Sequence, residues 1–187
     1  MHVQTVARTD GTHSLGPLVC WFGGDRITRV SCAHPGSHYT DDAGEPYISD
    51  GAVMLCQTES GGLMKIRLDL VSNQPGGQRH LLQGTRGTFE LDSSGEPARI
   101  WLQEEEDSQP SWAPLSSVGL DSPRTLDNAE MLRQFVGACR GECDNPLDVH
   151  AACDLTLPGL VSEQSVEEDG RWVAVPDSRE WTRQARM

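Results

Sequence analysis

Residues 52–71 constrain the fold more than any other stretch of the chain. Met64-Lys65-Ile66-Arg67-Leu68-Asp69-Leu70 alternates apolar and polar side chains at every step. A period of two is that of a strand with one buried and one solvated face. A second apolar run at 52–58 precedes it, and Glu59-Ser60-Gly61-Gly62 separates the two. That connection has the composition of a tight hairpin turn, so the two strands must pair antiparallel. Further strand-like runs lie at 27–33, at 79–83 continuing through 88–91 across a glycine turn, at 98–103 and at 172–175.

Helical periodicity flanks these runs. Leu15, Leu18, Val19 and Phe22 recur at three and four and predict a helix over 12–22, with Thr12 as N-cap and Pro17 tolerated near its start. Gly23-Gly24-Asp25 ends it. Residues 126–139 predict a second helix with Met131, Leu132, Phe135, Val136 and Cys139 on one stripe. A third is expected over 148–166, kinked or split at Pro158-Gly159. The stretch 104–124 is acidic, proline-rich and aperiodic, which predicts a flexible surface loop, and 178–187 reads as a polar tail. The order predicts an α+β fold: a mostly antiparallel open sheet with helices on one face, forming a single domain over 1–187. An apolar sheet face without helices needs cover, so a homo-oligomer or a partner on that face is expected.

Composition removes several classes of function. The 187 residues include 28 acidic and 15 basic ones, for a formal charge of −13, and Lys65 is the single lysine. Phosphate binding needs clustered cations, so nucleic acid and anionic membrane surfaces are excluded as partners. No apolar run reaches the roughly 18–20 residues of a membrane span, and Met1-His2-Val3-Gln4 does not open a signal peptide. A cytoplasmic location is the expectation. There the six cysteines are expected as free thiols, with Cys20, Cys32 and Cys56 acting as small buried hydrophobes.

Two arrangements invite a metal reading. Cys139-x3-Cys143-x6-His150-x2-Cys153 has zinc-like elements, but its gaps are unusual and its end cysteines fall in predicted helices. His34 and His38 with Asp41 and Asp42 sit in a loop that fixes no common face, so a solvated loop is favoured. No metal is expected. The Gly pairs do not form Gly-x-Gly-x-x-Gly between a strand and a helix, and neither a Walker loop nor Gly-x-Ser-x-Gly occurs.

Three stretches carry a family resemblance: Asp10-Gly11-Thr12-His13-Ser14-Leu15-Gly16-Pro17, Gln83-Gly84-Thr85-Arg86-Gly87-Thr88-Phe89-Glu90 and Gly170-Arg171-Trp172-Val173-Ala174-Val175-Pro176-Asp177. In that order they resemble the carboxy-terminal domain of Gfo/Idh/MocA-type nicotinamide-dependent oxidoreductases. The Thr-His-x-Leu-Gly-Pro element resembles the glycoside hydrolase family 109 branch, which uses NAD to cleave glycosides by a redox route. The resemblance covers nearly the whole chain but only the second half of a family member. Neither the Rossmann fingerprint nor the family's Glu-Lys-Pro motif occurs in these residues. It therefore implies a substrate and oligomerisation domain that by itself binds no NAD, the parent family's cofactor. It also implies a sheet face buried against another subunit and a sugar-like small-molecule ligand.

The resemblance places His13 in the sugar site, near the nicotinamide. A histidine at the N-terminus of the predicted helix suits a general base or a hydrogen-bond partner for a sugar hydroxyl. The family 109 branch usually has tyrosine three positions earlier; here Asp10 stands there, able to bond a hydroxyl but not equivalent as an acid, or to pair with Arg8 at the surface. Arg79 and His80 lie beside the substrate-bordering loop that the resemblance places at Asn73-Gln74-Pro75. His38 and Tyr39 are candidates for a substrate rim because binding residues concentrate on loops. Three readings stay open: an orphaned domain without redox chemistry, an active half-enzyme, and a non-catalytic sugar-binding or scaffolding module. The half-enzyme is completed by a separate Rossmann chain, or works without cofactor through His13 and Asp10.

Overall fold

The computed structural model describes residues 6–47, 49–69, 71–73, 79–92, 97–103, 111–119, 128–145 and 147–181. Within them lie helices α1 (Val6–Trp21), α2 (Asn128–Arg140) and α3 (Val149–Glu167). The strands are β1 (Ile27–Ala33), β2 (Gly51–Thr58), β3 (Leu63–Asp69), β4 (Arg79–Gln83), β5 (Gly87–Asp92), β6 (Arg99–Leu102), β7 (Trp112–Pro114) and β8 (Val173–Ala174). The fold is α+β with antiparallel pairing, as expected. Its strands form two four-stranded sheets, ordered β3-β2-β1-β8 and β4-β5-β6-β7. Contacts gather the chain into two compact units, Met1–Ser72 with Pro146–Met187, and Asn73–Asn145. No helix among the described residues is long and apolar enough to cross a membrane.

In the first unit, the β2–β3 hairpin pairs Cys56 with Met64 and Met54 with Ile66. These four side chains are buried together with Val30 and Cys32 of β1, while Lys65 and Arg67 are exposed. The alternation in the sequence thus predicts the buried face correctly. Helices α1 and α3 pack against each other and against the sheet, with Leu15 fully buried. The turn depends on its glycines: Gly61 has φ +92°, and a Cβ on Gly62 would lie 2.4 Å from the Phe22 ring.

Helix α3 is capped by Asp148, whose side chain accepts the Ala151 amide at 2.8 Å. Pro158 lies inside it, and the helix runs on as one element rather than splitting. Proline removes the amide that would bond Asp154's carbonyl, but Pro158 and Gly159 are buried, so packing holds the helix through the missing bond. The expected tail is partly ordered. Ser178–Glu180 form a 3₁₀ turn with Ser178 buried, and Arg179 bonds both carboxylate oxygens of Asp154 at 3.1 and 2.8 Å. Arg26 reaches Asp177 at 3.6 Å, Trp172 lies under Arg29, and Arg171 pairs with Glu168 at 2.5 Å. Residues 182–187 lie outside the described part.

In the second unit, β4 and β5 form a hairpin closed by Gly84 N–H to Gly87 O at 2.9 Å. The stretch expected as an aperiodic loop contains β7 and a 3₁₀ turn, Leu115–Val118. Cross-strand pairing of Trp112 with Trp101 fixes that strand, which is too short to show a period. Residues 104–110 and 120–127 lie outside the described part. Helix α2 forms as expected, yet Met131, Leu132 and Phe135 on its apolar stripe are 57%, 61% and 66% exposed.

Candidate functional site

Helix α1 changes the setting of His13. It begins at Val6 rather than after Thr12, so His13 lies mid-helix and exposed, away from the N-terminal dipole. The expected capping by Thr12 therefore fails, and Pro17 is an interior residue. Having no amide hydrogen, Pro17 cannot make the α-helical bond to the His13 carbonyl. Asp10 belongs to the same helix, but its side chain, like that of Arg8, lies outside the described residues.

The loop between β1 and β2 is ordered by a carboxylate that the sequence reasoning missed. Asp50 is buried at 5% exposure. It accepts the His38 amide at 3.1 and 3.0 Å, the Tyr39 amide at 3.3 Å and the His38 Nδ1 at 2.7 Å. Burial pushes its carboxyl upward, but these donors together hold it below the usual carboxylate range. Asp50 N–H donates to Gly36 O at 2.9 Å and Tyr47 N–H to Tyr39 O at 3.1 Å, closing the loop on itself. The imidazole of His38 remains largely exposed, with a side-chain exposure of 63%, and Tyr39 is exposed as well. The only sequence signal for Asp50 is its place at the entry of β2, in Ser49-Asp50-Gly51.

The other loop groups are occupied locally. His34 Nδ1 accepts the Gly36 amide at 3.1 Å, and Asp41 Oδ1 accepts the Ala43 and Glu45 amides, both at 2.9 Å. His150 bonds Ser178 Oγ at 2.8 Å through Nδ1. No group of three potential metal ligands occurs among the described residues. Cys32 and Cys56 are buried as expected, whereas Cys20 is exposed because it lies on the outer side of α1.

In the second unit, β4 carries Arg79 exposed and His80 buried. Successive strand residues face opposite sides, so the strand does not present both to one ligand. Burial lowers the pKa of the His80 imidazole. The open side of that sheet holds a hollow of about 440 Å³ lined by Glu90, Arg99, Trp112 and nearby proline and alanine residues. Arg99 lies 4.5 Å from the centroid of the Trp112 ring and donates to Glu90 at 2.8 Å.

No family model and no curated protein matches this chain. Comparison with solved structures shows a fold similar to that of one part of several oxidoreductases. An oxidoreductase from Pseudomonas syringae matches with TM-score 0.65 at 16% identity, over 92% of this chain and 52% of the other. A UDP-N-acetylglucosamine 3-dehydrogenase from Acidithiobacillus ferrooxidans matches with TM-score 0.64 at 14% identity, over 86% and 46%. A levoglucosan dehydrogenase in complex with NADH and levoglucosan matches with TM-score 0.63 at 12% identity, over 90% and 49%. The chain spans about half the length of these proteins.

Proposed function

We propose that this chain is the substrate-side and oligomerisation domain of a Gfo/Idh/MocA-type protein, with a parent activity of NAD-dependent oxidoreduction or redox glycoside cleavage on a sugar. The observation that carries this is the fold match, which takes in nearly all of this chain and about half of each solved structure. Two of those structures are named for sugar chemistry, which supports a sugar-like ligand here. The 187 residues contain no dinucleotide fingerprint, and hydride transfer needs a cofactor held against the substrate. On this reading the chain alone binds no NAD, and His13 with Asp10 marks the inherited sugar site.

The uncovered apolar stripe of α2 favours a second version, in which a separate Rossmann-domain chain completes an active enzyme. Cofactor-free catalysis by His13 and Asp10, or a purely scaffolding role, has no such support. Native mass spectrometry with and without NAD tests the proposal. A homo-oligomer that retains no cofactor is the expected result, and an adduct of NAD mass on the folded chain overturns it.

A further inference from the structure

The Asp50–His38 pair does more than close a loop. An ionised carboxylate only accepts hydrogen bonds, and the backbone amides of His38 and Tyr39 hold Asp50 in that form. The proton between it and the imidazole therefore belongs to Nδ1. In the neutral ring this leaves the lone pair on Nε2. Among the described residues the ring's hydrogen bonding ends at Asp50, and Nε2 has no partner among them. The ring is also fixed in place. It rests on Gly36, where a Cβ would come within 3.2 Å of its Cε1, and Gly36 has φ +100°.

We propose that Nε2 of His38 is a proton-accepting contact for a hydroxyl group of a neutral, carbohydrate-like ligand, with Asp50 as its positioning residue. An outward lone pair selects a hydrogen-bond donor. Asp50 and the acidic residues of the same loop, Asp41, Asp42 and Glu45, oppose an anion. The sugar class rests on the function proposed above; the fixed tautomer does not. Of the two histidines the first unit offers for such a contact, His38 has a buried carboxylate behind it, whereas no described carboxylate orients His13.

Long-range proton–nitrogen NMR on the 15N-labelled chain, at a pH above the ordinary imidazole value of about 6.5, tests this. Spectra are recorded alone and with glucose, N-acetylglucosamine and levoglucosan. The Nδ1–H tautomer is expected for His38, with Nε2 shifting as a saccharide binds. Asp50→Asn is expected to move the ring toward the Nε2–H form and to weaken binding about tenfold. His38→Gln keeps a donor for Asp50, and it is expected to stay folded and lose the same affinity. An Nε2–H tautomer in the unaltered chain overturns the proposal. So does a saccharide that binds without moving the His38 nitrogens, a result that leaves the sugar reading intact. Silence from all three sugars removes the ligand assignment, while the NAD measurement judges the parent reading separately.

Discussion

The hydroxyl of Ser165 on α3 accepts the amide of Cys32 on β1 at 2.9 Å, and it donates to the Arg171 carbonyl at 2.6 Å. Strand β8 pairs with β1 only at Arg29 and Val30, so beyond that point a helix side chain takes the place of a strand. Ser165 is fully buried. Ser165→Ala leaves the Cys32 amide without its partner, and a loss of about 1–3 kcal/mol in urea unfolding is expected. A change within a few tenths of zero would mean that water replaces the hydroxyl.

The two faces of β2 should respond differently to truncation. Met54 is 1% exposed and Val53 is 43% exposed. Met54→Ala is expected to cost about 2–5 kcal/mol, and Val53→Ala no more than about 0.5 kcal/mol. Equal costs in denaturant titrations would place the sheet's outer face against another surface.

Thiol reactivity follows burial. Cys56 has its thiol pushed up to about 12, first by burial and then by the neighbouring Cys32; burial also raises Cys32. Cys20, Cys139 and Cys143 are exposed. Alkylation of the native chain followed by peptide mass mapping should label these three first. Cys32 and Cys56 should react only after unfolding.

Acid should weaken the two units in different windows. The folded-state pKa of His80 is lowered, so the unfolded chain takes up that proton first. Stability of the second unit therefore falls as pH drops below about 6.5, until the folded value is passed. Asp50 is lowered, so its contribution is present above the unfolded carboxyl value and lost only as pH falls below about 4. Urea midpoints resolved by amide signals from each unit provide the check, and one common transition window would contradict it.

The hairpin and most strands were legible because period-two burial is written into neighbouring residues such as Met64, Lys65 and Ile66. Periodicity does not say which strands share a sheet, so the sequence predicts one open sheet where two occur. Thr12 reads as an N-cap because it stands just before the apolar period that opens at Leu15, yet α1 begins at Val6. Pro158-Gly159 predicts a kink or a split, and the burial that carries the helix through it is not visible in local sequence. Asp50 stayed hidden because its partner lies 12 positions back in a loop, where no period links them. His38 was legible as a loop residue, but what fixes its ring was not.

The second unit interrupts the first between β3 and α3, which sets an order of events at the ribosome. Cys32 and Ser165 are 133 positions apart, whereas the β4–β5 hairpin joins residues no farther apart than Arg79 and Asp92. Loop-closure entropy and folding time both grow with such separation. The inserted sheet can therefore form while the first unit still waits for α3 and β8 to be synthesised. Until they arrive, the apolar side of β1–β3 lacks its second helix and the far edge of β1 lacks both β8 and Ser165. The nascent chain is most open to aggregation in that interval.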